Sequence, residues 1–212
     1  MNFITDPHEI EKKSFEIISG QLAGRVLDPR NESVVKRVIH TTADFDYANN
    51  LVFSEDAVAK ALEILRSGAR IVTDTQMARA GINKKTATRL GCEVHCFIDD
   101  PVVMEIAQAS GTTRARTAVD RAFETLRGPV FFVAGNAPTA LIRLREIIDE
   151  RQGHKPAFIV AVPVGFVNVV ESKELILGLP IPHIVAKGQK GGSNVAAAVC
   201  NALLYEAEKD LA

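Results

Sequence analysis

Five short apolar runs constrain this chain more than any other feature: RIVTD (70–74), EVHCFI (93–98), PVFFVAG (129–135), PAFIVAVPV (156–164) and HIVAK (183–187). They are rich in Val, Ile and Phe and show little polar alternation. A strand with one wet face alternates, whereas a strand covered on both faces does not, so these runs read as strands of a buried parallel sheet. The stretches between them carry helix signals. SEDAVAKALEILRSG offers Ser54 as an N-cap, acidic residues in its first turn and Gly68 as a stop. PVVMEIAQASG, TRARTAVDRAFETLRG, APTALIRLREIIDERQG and GGSNVAAAVCNALLYEAEKDL follow similar rules. Parallel strands need long crossovers, and the repeated β-then-α order supplies them. The expected fold is α/β and three-layered: a mainly parallel central sheet of about five strands with helices on both faces. Two more helices, near 7–20 and 30–41, precede the first of these strands. No internal repeat or linker interrupts the 212 residues, which read as one domain with the N-terminal helices over about 7–41.

Composition narrows the partners. The chain is 47% hydrophobic and 24% charged, with a formal net charge of −1, so no global basic field draws it to nucleic acid. No run of about 18 apolar residues suggests a membrane span. The first residues, MNFITDPHEIEKKSFEI, lack the basic-then-apolar layout of a secretory signal. Three cysteines, Cys92, Cys96 and Cys200, make no disulfide scaffold, and the expectation is a cytoplasmic protein with reduced thiols. In CEVHC, Cys92 and Cys96 share one strand face and His95 takes the other. That spacing, with no second ligand pair, favours buried thiols over a metal site.

In a sheet of this kind ligands sit beyond the carboxyl ends of the strands. The segments there are TDTQMARAG (73–81), IDDP (98–101), AGNAPTA (134–140), VPVGFVNVVESKE (162–174) and AKGQKGGSN (186–194). KGQKGGSN and AGNAPTA each fit two readings, a tight strand-to-helix turn or a cradle of backbone N–H groups for an anion. Neither matches G-x-x-x-x-G-K-[ST] or G-x-G-x-x-G, so a nucleotide site lacks its fingerprint. Arg114 and Arg116 stand near a helix start, where cations oppose the helix dipole; they read as solvated charge or as groups facing an anionic ligand.

His40 is the remaining candidate. Winding residues 33–40 as a helix puts Val34, Val35, Val38 and Ile39 on one side, and Ser33, Lys36, Arg37 and His40 on the other. Arg37 and His40 are i, i+3 neighbours. That face is either a solvated helix end or a cationic surface for an anionic ligand, with His40 as its proton-handling member.

Seven segments, in order and at these spacings, carry a resemblance: KKSFEII (12–18), VVKRVIHTTADFDYA (34–48), IVTDTQMARAGI (71–82), GTTRARTA (111–118), GNAPTAL (135–141), PVGFVNVVESKELI (163–176) and KGQKGGSNVAAAVCNALL (187–204). Along essentially its whole length the chain resembles the precorrin-8X methylmutase (precorrin isomerase) family of cobalamin biosynthesis. The resemblance implies a homodimeric α/β enzyme with its active site near the subunit interface. It implies an intramolecular migration of a methyl group from C-11 to C-12 of a contracted corrin precursor, with no separate cofactor. The product is cobyrinic acid, or hydrogenobyrinic acid when cobalt is absent. The family's catalytic histidine falls on His40, and its substrate-binding positions fall on Ser14 and Arg37. Arg114 matches a recurrent family arginine, suited to a substrate carboxylate. The RAR at 114–116 departs from the family's common Arg-Ser-Ala, which leaves Arg116 without a role. TTADFDYA after the histidine is more similar to the branch that acts on cobalt-containing intermediates. The competing expectations are a tetrapyrrole carrier without catalysis and a nucleotide- or phosphate-binding α/β domain.

Overall fold

The computed structural model describes residues 3–150 and 155–209. Parts of three expected segments lie outside the described residues: 1–2 of the first stretch, 151–153 of the APTALIRLREIIDERQG helix and 210–211 of the last helix.

All five apolar runs form strands, and they pair in parallel. These are β2 (Arg70–Thr73), β3 (Glu93–His95), β4 (Val130–Ala134), β5 (Phe158–Ala161) and β6 (His183–Ala186). A sixth strand, β1 (Leu51–Phe53), adds antiparallel to β6, so the sheet runs β1-β6-β5-β4-β2-β3. The two shortest strands, of three residues each, are the two edges. The expected sheet therefore gains one strand. β4, β5 and β6 are buried at every position, which is why their sequences do not alternate.

Two hydrophobic clusters fill the spaces on either side of the sheet. One holds Ile71, Phe131, Phe158, Val160 and Ile184 against α1 (Pro7–Gln21), α2 (Glu32–Thr42), α4 (Ala57–Arg66) and α11 (Ser193–Lys209). Phe131 and Phe158 stack there, with centroids 4.7 Å apart. The other holds Val72, Phe132, Ile159 and Val185 against α8 (Arg114–Thr125), α9 (Pro138–Asp149) and α10 (Val169–Leu177). Adjacent strand residues thus feed opposite clusters. Four short helices complete the chain: α3 (Tyr47–Asn50), α5 (Gln76–Gly81), α6 (Lys84–Arg89) and α7 (Pro101–Ala109). No helix among the described residues is long and apolar enough to cross a membrane.

The helix ends explain themselves locally. Asp6 caps α1 by accepting from the Glu9 N–H at 2.9 Å, and Pro7 occupies the first turn, where its missing N–H costs nothing. Ser54 does not cap α4 as expected. The helix starts later, at Ala57, and the Ser54 hydroxyl instead accepts from the His183 N–H at 2.9 Å, tying the end of β1 to β6. Gly68 does end the helix region, with φ +79.

Candidate active site

The N-terminal helices place two of the four expected site residues, Arg37 and His40, together on Phe15 and carry a third, Ser14, on α1. α2 buries Val34, Val35, Val38 and Ile39 and turns Arg37 and His40 outward, as its apolar periodicity requires. α1 packs beside it and presents Phe15. The His40 imidazole stacks on the Phe15 ring at 5.4 Å and 9°, and the Arg37 guanidinium lies over the same ring at 4.8 Å. Arg37 also faces the Tyr205 ring of α11 at 5.3 Å and pairs with Glu11 at 2.7 Å. Such cation–π contacts contribute about 0.5–2 kcal/mol each and hold a long side chain in one place. Ser14 is half-buried, next to Phe15 in α1, and its hydroxyl donates to the Ile10 carbonyl at 2.8 Å. Lys36, the other cation of this face, is paired with Glu32. The face is therefore not a bare cationic surface: each cation already has a carboxylate. A groove of about 400 Å³ lined by Phe15, Lys36, Arg37 and Tyr205 opens between α1, α2 and α11.

His40 lies in the last turn of α2, where the helix carbonyls favour a cation. The helix stops at Ala43, which takes a left-handed φ of 54 and donates to the Ile39 carbonyl at 2.7 Å. The turn that follows is acidic. Asp44 and Asp46 both accept from the Lys190 ammonium, at 2.6 and 2.7 Å, and Lys190 holds the Asp44 carboxyl below its usual range. The residues after His40 are thereby joined to the loop between β6 and α11.

That loop, residues 187–192, is one of the glycine-bearing turns at the carboxyl edge of the sheet. Lys173 of α10 lies beneath it, 1% exposed, and donates to the Gly188 and Lys190 carbonyls at 2.7 and 2.9 Å. Burial pulls its pKa down to about 8. Another such turn, Gly135–Ala137, follows β4. Its three N–H groups all donate to the Asp74 carboxylate, at 2.8, 2.7 and 2.6 Å. Asp74 is 3% exposed; burial pushes its carboxyl up, and the three N–H bonds oppose that shift. The turn after β4 is therefore no empty anion cradle: its N–H groups already have a carboxylate.

Arg114 stands apart from His40. It opens α8 on the other side of the sheet, half-exposed, with Asp99 its nearest carboxylate at 4.0 Å. The Thr113 hydroxyl donates to that of Thr139 at 2.8 Å, which places this helix start beside that of α9, beyond the end of β4. Arg116 is engaged: both of its terminal nitrogens bond Glu146, which Arg143 shares at 2.9 Å. Among the described residues no group of three or more His, Cys, Asp or Glu side chains is placed to hold a metal ion. Of the two thiols expected to be buried, Cys92 is and Cys96, just past the end of β3, is only half-buried; Cys200 is buried as well.

Asp74 and Lys173 were not singled out by the sequence. Both leave a trace in it. Asp74 ends an otherwise apolar strand, and Lys173 falls on the buried stripe of α10 with Val169, Ser172 and Ile176.

The architecture matches that of a known methylmutase. The structure superimposes on that of the precorrin-8X methyl mutase from Thermus thermophilus with a TM-score of 0.87 and 40% identity, covering 96% of this chain and 97% of that one. The chain is 47% identical over 210 residues to the cobalt-precorrin-8 methylmutase of Salmonella typhimurium, spanning 97% of this chain and 98% of that protein. It is 36% identical to the precorrin-8X methylmutase of Pseudomonas aeruginosa over 212 residues, 98% of this chain and all of that protein. These relatives define the class, an isomerase that moves a methyl group within its substrate. The precorrin-8X methylmutase family model matches residues 9–206, and the chain belongs to that family.

Proposed function

We propose that this protein moves the C-11 methyl group of cobalt-precorrin-8 to C-12, giving cobyrinic acid, with precorrin-8X and hydrogenobyrinic acid as the cobalt-free pair. Relatives named for the cobalt-containing substrate, at 47%, 40% and 41% identity, support that preference. The observation that carries the reading is the arrangement of His40 and Arg37 over one Phe15 ring, at an exposed helix end.

The reaction is an isomerisation. The C-11–CH₃ bond breaks, the C-12–CH₃ bond forms, and the proton count does not change. His40 lends a proton to the conjugated ring system, at a ring nitrogen, which promotes migration; it then takes a proton back, which fixes the new double-bond pattern. Phe15 orients the imidazole. Arg37 and Ser14 hold substrate carboxylates beside it, Arg37 exchanging Glu11 for the ligand, and Arg114 holds a further carboxylate from across the sheet edge. The flat macrocycle needs apolar cover. Met77, Val164, Phe166 and Val167 are exposed near the carboxyl ends of β2 and β5 and are suited to supply it. A second copy completes the enclosure in this reading: the protein acts as a cytoplasmic homodimer with its site near the interface. No separate cofactor takes part.

The test is turnover of cobalt-precorrin-8 followed by its visible spectrum. His40→Ala is expected to lower kcat by about 10²–10⁴, the range for a removed acid–base group, while product still binds. Arg37→Ala is expected to act chiefly on KM. Wild-type turnover in the His40 variant overturns the assignment, and a corrin that binds without changing its spectrum turns the reading to a carrier.

A further inference from the structure

Lys173 has two acceptors and, among the described residues, no counter-ion. Both acceptors belong to one loop: the carbonyls of Gly188 and Lys190. The same loop is closed by three more bonds, Gly192 N–H to the Val162 carbonyl at 2.8 Å, Gly165 N–H to the Gln189 carbonyl at 3.1 Å and Lys187 N–H to the Asn50 carbonyl at 2.8 Å. Gly191 sits so tightly that an added Cβ would lie 2.1 Å from the Val162 oxygen. Lys190, whose carbonyl Lys173 holds, sends its own ammonium to Asp44 and Asp46. Asp46 in turn donates its N–H to the Asp44 carboxylate at 3.0 Å, and Asp44 donates its N–H to the Thr42 hydroxyl at 3.2 Å, in the last turn of the helix that carries His40. An unbroken set of bonds thus runs from the buried amine to the helix end at the site.

We propose that Lys173 is a positioning residue of the His40 site: its amine holds the 187–192 loop closed from beneath and, through Lys190, fixes the acidic turn that follows His40. The inference rests on the methylmutase reading for its effect on turnover, though not for its effect on the loop.

The chemistry of the amine gives the latch a direction. The charged groups on the elements around it are engaged elsewhere or exposed. On α9, Arg143 pairs with Asp120, Glu146 and Glu150, and Arg145 pairs with Asp149. His183 of β6 bonds the Ile181 carbonyl through Nδ1, and Lys187 of the loop, like Glu171 and Glu174 of α10, is exposed. A neutral amine has two N–H groups and satisfies both carbonyls. An ammonium keeps a third proton and an unpaired charge. Opening the loop returns the amine to water, where it takes up a proton at any pH between its closed value of about 8 and the ordinary 10.5. Raising the pH through that window therefore favours the closed loop.

Amide hydrogen exchange on the full chain, read by NMR from pH 7 to 9.5, tests this without any variant. After correction for the intrinsic base-catalysed rate, protection at Gly165, Lys187 and Gly192 is expected to rise with pH, while Ala157, at the far end of the sheet, stays flat. Protection that falls or stays flat in the loop overturns Lys173 as the group that holds it. Lys173→Met removes both donors at similar length. It is expected to raise exchange at Lys187, Gly192 and Asp46 about tenfold and to abolish the pH trend. It is also expected to lower kcat for cobalt-precorrin-8 about tenfold, with less change in KM. Lys173→Gln, whose amide keeps two N–H groups, should recover part of each effect. Unchanged exchange at Asp46, or full turnover with a loosened loop, overturns the coupling to His40. If Lys173→Met does not fold, the wild-type pH series decides. Wild-type protein that fails to turn over at all refutes the methylmutase reading and leaves the loop result standing.

Discussion

Two glycine-bearing turns at the sheet edge, after β4 and after β6, are held by opposite chemistry. In the turn after β4 the backbone donates: three N–H groups converge on the Asp74 carboxylate. In the loop after β6 the backbone accepts: two carbonyls converge on the Lys173 amine. The turns also touch, since a Cβ on Gly135 would lie 2.8 Å from the Ser193 Cα and 3.1 Å from the Gly192 oxygen. A turn rich in glycine and followed by a helix is easily taken for a phosphate site. What decides is whether the protein has supplied the anion itself, and in the turn after β4 Asp74 does so. The difference between the two is in their response to conditions. Asp74 faces three donors at once, so its turn is over-determined, whereas Lys173 holds its loop with two bonds, the full complement of a neutral amine.

Substitution at Gly191 should have the largest effect. Its Cβ would meet backbone oxygens at 2.1 and 2.6 Å, neither of which can move alone. Gly191→Ala is expected to cost more than about 3 kcal/mol in urea unfolding, at or beyond the upper range for overpacking. Gly188→Ala has open space and only a φ of +74 to strain, and should cost about 1–2 kcal/mol. Equal costs at the two would show that the loop gives way as a whole, and would weaken the idea that one side is pinned.

Asp74→Asn comes next. The amide presents N–H where the turn also presents N–H, so at least one buried donor loses its acceptor. The expected loss is about 2–3 kcal/mol, with the β4–α9 turn loosened in hydrogen exchange. A neutral outcome would mean that the carboxylate is not what shapes that turn. The smallest effect separates the two turns by pH. The folded pKa of Lys173, about 8, lies below its unfolded value of 10.5, so the unfolded chain binds more protons between them and stability from this group grows as pH rises. The stability gap between wild type and Lys173→Met should shift in favour of wild type by about 1 kcal/mol from pH 7 to 9. A shift in the other direction would show that the loop needs the ammonium rather than the amine.

Much of this was legible in the sequence, for physical reasons that vary by element. The five parallel strands were readable because burial on both faces removes polar alternation. β1 was not, because three residues carry no period, and its partner β6 is more than a hundred residues away. α10 was not separated from the segment after β5, since Gly165 and Asn168 mark a turn immediately before it. Arg37 and His40 were placed on one face by helical spacing alone, and Ser14 joined them only through the family resemblance. The Phe15 stack depends on how α1 crosses α2, which no local pattern encodes. Asp74 escaped because its three partners lie 61–63 residues further along.

The sheet ends on both sides in its shortest strands, β1 and β3, three residues each. β1 runs against the direction of the others, and its outer side offers few free backbone groups; β3 carries Glu93 and His95 in a mutual bond at 3.1 Å. Neither border offers a template long enough for another chain to extend the ladder. Surface changes on the helices and loops can therefore be made without disturbing the hydrogen-bonded frame of the sheet.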